Sequence, residues 1–320
     1  MKTVAIVHPT SLLGKELRER LERRSDLVAQ LRLLSADEDE IGQLTEAAGA
    51  AAFVGRLEAG TLEDVDLAFF CAWGEPEVRA ASNLPRGALA VVLSEAGTES
   101  GLPVAIAGVR EDLLAGLDRV ASPAAAAVLV ASVAAAIAPL GLRRLDGTVL
   151  TPVSEYGEAG IDELFEQTRR ILAFEGVPRS RVYPTQIAFN LLAAPRDAGA
   201  VARAVRLALG DEFPVDLHLV QGGVFHGVAA SLRVELARPV ALADLRRALG
   251  RGRGLTVARD GRRVGPVGVA GDEQVTIGEI RAAEGGQAYW IWAAMDNLVR
   301  GGALNAIEAA EALLRAGRPS

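Results

Sequence analysis

The stretch Val120–Leu140, VASPAAAAVLVASVAAAIAPL, carries no charge and has one proline near its start and another near its end. A run so evenly apolar folds as a helix covered on every side, so the rest of the chain must be built to bury it. Ser122 followed by Pro123 predicts an N-cap and a proline at the first helical position, where a missing N–H costs nothing. The amides at a helix start are unpaired and make a natural seat for a nucleophile or an anion. Here the positions after the proline are Ala124, Ala125, Ala126 and Ala127, none of which can attack, donate or accept through a side chain. The run is about long enough to cross a bilayer. Alanine carries little transfer energy, however, and no basic cluster flanks the run, so a buried helix and no membrane partner are expected.

A chain of 320 residues is expected to hold about two domains. Half of it is hydrophobic and 23% charged, enough to bury a sizeable core. The net charge of −7 argues against binding the phosphate backbone of nucleic acid. A single cysteine, Cys71, excludes an intramolecular disulfide and a thiolate metal cluster, and points to a reducing cytoplasm. Cys71 itself reads as a buried structural thiol, since no His or Arg lies close in sequence to lower its pKa. His8, His218 and His226 show no ligand spacing with acidic residues, so no metal is expected.

Apolar runs at 3–8, 66–71, 88–93 and 104–109 read as strands, as does a stretch that begins around Asp26 and ends at Leu33-Leu34-Ser35, and KELRERLERR reads as a helix after the first. Strands alternating with helices at this spacing indicate a parallel, doubly wound sheet. The first strand-to-helix turn of such a sheet seats a dinucleotide pyrophosphate and asks for three glycines. This chain has His8-Pro9-Thr10-Ser11-Leu12-Leu13-Gly14, keeping only the packing glycine, and puts an imidazole where the phosphates approach. From about Thr148 the texture changes. Strands are expected at 148–154, 217–223, 227–236 and 287–294, and helices at 161–174, 198–209, 242–251 and 303–315, giving a second, α+β domain.

Residues across nearly the whole length resemble the aspartate-semialdehyde dehydrogenase family. Asp66-Leu67-Ala68-Phe69-Phe70 carries the likeness in the first domain, and Ala159-Gly160-Ile161-Asp162-Glu163-Leu164-Phe165-Glu166-Gln167-Thr168 in the second. Further carriers are Gln186-Ile187-Ala188-Phe189-Asn190, Gly278-Glu279-Ile280-Arg281, and above all the run Asp296-Asn297-Leu298-Val299-Arg300-Gly301-Gly302-Ala303-Leu304-Asn305-Ala306. The resemblance implies a Rossmann-type domain over 1–122 and 298–320. Residues 123–297 would form a catalytic-type dimerisation domain, α+β and like the C-terminal domain of glyceraldehyde-3-phosphate dehydrogenase. It also implies a homodimer, with a heteromer containing an active relative as a further option.

The family's chemistry uses a cysteine thiolate that attacks the aldehyde, a histidine base, an arginine for the substrate carboxylate, and NADP as hydride acceptor. Carried onto this sequence, the nucleophile position is Ala125, and a shift of one turn reaches Val128. The glutamine that orients the nucleophile falls on Thr151. The substrate arginine falls on Gln221 and the base on Val228, with His226 two residues early as a weak candidate. Ser11, Gly14, Ser35 and Asn297 are the cofactor-binding candidates. Asp37 and Glu38 occupy the loop that would meet a 2′-phosphate, so no cofactor is expected, or NAD if any. Loss of so many groups together implies a pseudoenzyme, and the Usg-type paralogues, which lack the cysteine and share a pair like Val220-Gln221, are the subgroup resembled. An oxidoreductase or NAD-binding sensor of amino-acid biosynthesis is the alternative.

Overall fold

A computed structural model describes residues 2–24, 26–47, 50–210, 213–259 and 264–316. The chain divides into two compact units, residues 1–124 with 302–320, and residues 125–301.

In the first unit β1 (Lys2–Val7) is followed by α1 (Leu12–Glu22), β2 (Val28–Ser35), a hairpin of β3 (Leu44–Ala47) and β4 (Ala50–Phe53), β5 (Gly55–Arg56), and β6 (Leu67–Phe70). Then come α2 (Glu75–Ser82), β7 (Leu89–Val92), α3 (Glu95–Glu99) and β8 (Arg119–Ala121). The main sheet runs in the order β5-β2-β1-β6-β7-β8 with every pair parallel. Val4, Ala5, Ile6 and Val7 are all fully buried. Successive strand residues point to opposite faces, so both faces are covered, as in a parallel Rossmann-like sheet. Val4, Ile6, Phe69 and Val91 join one core with α1 and the closing helix Leu304–Ala316, while Ala5, Phe70 and Val92 join another with Ala80 and Ala81 of α2.

Two expectations fail here. Val104–Val109 is not a strand; Val104 and Ile106 make only isolated bridges, and the last parallel strand is β8, which includes the first two residues of the uncharged run. That run is therefore strand, turn and helix rather than one helix. Ser122 does not cap it; its hydroxyl accepts from Asn305 Nδ2 at 2.8 Å. β pairing with β7 claims Val120 and Ala121, and the proline that follows cannot join the ladder.

The second unit opens with α4 (Ala125–Ile137) and continues through β9 (Leu142–Thr151), α5 (Gly157–Leu172), β10 (Leu191–Ala193), α6 (Ala198–Leu209), β11 (Val215–Gly222) and β12 (Val228–Leu236). It ends with α7 (Leu242–Arg251), β13 (Leu255–Val257), β14 (Val275–Ala282) and β15 (Ala288–Met295); the closing helix of the first unit is α8. Its mixed sheet has the order β10-β11-β9-β12-β15-β14-β13. Helix α4 packs on β9, β12 and β15 and is flanked by α6 and α7, which is why Ala126 through Ala134 are all buried. Sequence patterning missed β14 because its pairing with β15 is interrupted by a bulge between Ile277 and Ile280, which disturbs the alternation. Among the described residues no helix is long and apolar enough to cross a membrane.

Candidate functional site

In the second unit the position that the resemblance gives to the nucleophile, Ala125, is the first residue of α4. Gly301, in a π-helical turn, lies directly against it. A Cβ built on Gly301 would stand 2.7 Å from Ala125 Cβ and 2.7 Å from Met295 Cε, so only glycine fits. Met295 is the last residue of β15 and pairs across the ladder with Val228, the position assigned to the base. Met295, Val228 and Val128 are fully buried. The fold thus brings the nucleophile and base positions to the same neighbourhood and fills it with methyl and thioether groups.

Thr151 and Gln221 are parallel-ladder partners on β9 and β11, each about 1% exposed. The Gln221 carboxamide donates through Nε2 to Thr151 O at 3.0 Å and to Gly222 O at 3.2 Å, and its Oε1 accepts from Thr151 Oγ1 at 3.3 Å. Its hydrogen-bonding groups are consumed by the strands that carry it. His226 lies in the Gly223–Gly227 connection, half-buried, and its Nδ1 has no hydrogen-bond partner among the described residues.

Asn297 is also committed internally. Its Oδ1 accepts from Gly227 N–H at 2.8 Å and its Nδ2 donates to Ser154 Oγ at 3.0 Å. Beside it the Asp296 carboxylate accepts from the amides of Gly271, Leu298 and Val299, each at 2.9 Å. This turn ties three loops of the second unit together. The other face of the sheet, away from α4, carries an open apolar cleft of about 590 Å³ lined by Leu150, Phe189, Leu191, Ala229 and Trp292, with Asn190 at its rim. Phe189 and Leu191 remain more than 60% exposed there.

In the first unit the candidates Ser11, Gly14 and Ser35 do come together. Ser11 caps α1, accepting from Gly14 N–H at 3.1 Å while donating to His8 O at 2.8 Å. A Cβ on Gly14 would fall 2.3 Å from His8 O, so the packing glycine is required. Ser35 Oγ accepts from Asp37 N–H at 3.0 Å and lies 3.3 Å from His8 Nδ1. His8 itself has φ of 61°, a left-handed conformation that favours glycine. The far side of its ring reaches Glu77 Oε1 at 3.2 Å, and Glu40 Oε2 lies 3.5 Å from its Nδ1. Glu40 and Glu77 carried no sequence signal, being brought to His8 only by the crossing of the strands that precede them. Glu38 is paired with Arg56, whose guanidinium holds its carboxyl below the ordinary range. Cys71 is half-buried rather than buried, packed against the core of the first unit, and desolvation pushes its thiol up to about 12, which leaves it without thiolate character. Among the described residues no group of three or more His, Cys, Asp or Glu is placed to hold a metal.

Residues 134–300 match the model described as semialdehyde dehydrogenase, dimerisation domain. The chain is 31% identical over 98% of its length to a USG-1 protein homolog from Azotobacter vinelandii, covering 98% of that protein. It is 25% identical to an aspartate-semialdehyde dehydrogenase from Prochlorococcus marinus, over 98% of this chain and 96% of that one. The solved structure of a probable aspartate-semialdehyde dehydrogenase from Pseudomonas aeruginosa superimposes with a TM-score of 0.89 at 30% identity, covering 98% of each chain. The chain belongs to the aspartate-semialdehyde dehydrogenase family, alongside the USG-1 homologues.

Proposed function

We propose that this protein is a non-catalytic member of its family, a homodimeric binding or scaffolding protein that keeps the framework and has given up the chemistry. The observation that carries this reading is the filled pocket at the start of α4. Ala125 stands at the position the resemblance gives to the nucleophile; Gly301 lies between it and Met295, which pairs across the ladder with Val228. An acyl-transfer site needs a nucleophile within hydrogen-bond reach of a base, and neither Ala125 nor Val228 has a polar side-chain atom. Gln221, at the substrate-arginine position, has its carboxamide turned onto Thr151 and Gly222 rather than presenting charge.

The residues at the cofactor turn do not fit a dinucleotide. Glu40 Oε2 is buried without a hydrogen-bond partner among the described residues, and a carboxylate there opposes an incoming phosphate. The retained dimerisation domain, with Phe189, Leu191 and Trp292 around an open apolar cleft, supports self-association as the property kept. A heteromer with an active relative would use the same face, and native mass spectrometry of mixed chains separates the two. The decisive assay follows NADPH formation from aspartate semialdehyde, NADP and phosphate. No turnover above the uncatalysed rate is expected, and turnover that disappears on His226→Ala sinks the reading.

A further inference from the structure

The strand order β5-β2-β1-β6-β7-β8 reverses direction of progression between β1 and β6. In open parallel sheets a ligand enters the crevice beyond the carboxyl ends of the two strands at such a reversal. His8 follows β1 directly and Glu77 lies in α2, the helix after β6. Their contact at 3.2 Å therefore runs across the mouth of that crevice. The other ring nitrogen faces Ser35 at the end of β2 and the Glu40 carboxylate, so the imidazole is held from both sides.

The contact is built in rather than incidental. The His8 side chain is 16% exposed, that of Glu77 5% and that of Glu40 13%. The second Glu77 oxygen accepts from Gly74 N–H at 2.7 Å, the reciprocal half of a capping box, which fixes the carboxylate at the start of α2. The loop beneath keeps a glycine-type backbone at His8 (φ 61°), a serine cap on α1 and a packing glycine at Gly14. The capped start of α1 is still formed, and the imidazole of the residue that follows β1 is flanked by two carboxylates.

We propose that His8 and Glu77 form a side-chain latch across the dinucleotide crevice, and that the latch together with Glu40 makes the first unit reject the pyrophosphate of NAD and NADP alike. The inference rests on the non-catalytic reading but makes a separate claim, because an enzyme can lose its nucleophile and still bind cofactor. Exclusion has two parts. The ring occupies the approach to the α1 amides, and the carboxylates repel a dianion inside a poorly solvated cleft.

The test is isothermal calorimetry and thermal shift on the full chain with NAD, NADP, ADP-ribose and inorganic pyrophosphate. The unmodified protein is expected to give no heat at millimolar ligand. The variant H8G/E40Q/E77Q opens the approach and removes both charges, and is expected to bind ADP-ribose and NAD at least about tenfold more tightly. Should that variant fail to fold, H8N/E77Q takes its place, since asparagine tolerates the left-handed backbone. Sub-millimolar binding of NAD or NADP by the unmodified protein overturns the latch while leaving the non-catalytic reading standing. A folded variant that gains less than about threefold overturns it as well. Turnover of aspartate semialdehyde would instead overturn the non-catalytic reading itself.

Discussion

If the Gln221 position has been converted from substrate binding to structure, removing its carboxamide costs stability rather than affinity. In Gln221→Ala two buried backbone carbonyls, Thr151 O and Gly222 O, lose their donor, and Thr151 Oγ1 loses its acceptor. Each such bond contributes roughly 0.5–1.5 kcal/mol net, so the loss of all three is about 1.5–4.5 kcal/mol before any cavity term. For a unit the size of residues 125–301, each kcal/mol lowers Tm by about 2–4 °C, which places the shift at roughly 3–18 °C. Gln221→Leu keeps the volume and removes only the polar contacts, so the difference between the two variants isolates the cavity contribution. The assay is urea and thermal unfolding followed by tryptophan fluorescence, since Trp290 and Trp292 on β15 report on the sheet that contains Gln221. A Tm change below about 1 °C in both variants, at constant slope in urea, would refute the structural assignment.

Other outcomes follow from the same geometry. Ala125→Cys restores a thiol at the start of α4 but no base at Val228, and is expected to fold without gaining NADPH-forming activity in the coupled assay. Met295→Ala empties the space between Gly301 and Val228 and should destabilise by about 2–5 kcal/mol in urea titrations, as other large-to-small core changes do. The Cys71 thiol, raised to about 12 by burial, holds its proton in the native state above pH 9, where the unfolded chain releases it. Its stabilisation is thus complete below about pH 9 and lost toward pH 12 at up to about 1.4 kcal/mol per pH unit. Urea midpoints at pH 8 and 10 should fall more for the native chain than for Cys71→Ala, and an equal fall in both would contradict the assignment. At pH 8 the half-buried, protonated thiol should react with an alkylating reagent more slowly in the native chain than in the unfolded one.

The sequence by itself determined the fold class. Contiguous apolar strands alternating with helices can be buried only in a doubly covered parallel sheet, and the motif run from Asp296 to Ala306 tied the second half to a known dimerisation domain. It also carries the basis of the proposed non-catalytic reading, because a residue type is legible without coordinates: Ala125 and Val228 have no reactive side-chain atoms wherever they lie. Sequence was weaker at boundaries. The uncharged run looked like one helix, whereas β pairing with β7 captured its first residues, a competition between ladder and helix that local propensity does not contain. Only the tertiary structure decided what these side chains touch. Gln221 and Thr151 are 70 residues apart, and their mutual satisfaction exists only because β9 and β11 are parallel neighbours. His8, Glu40 and Glu77 were plain in the sequence as single residues. Their meeting depends on the crossing of β1, β2 and β6, a long-range arrangement that no local spacing encodes.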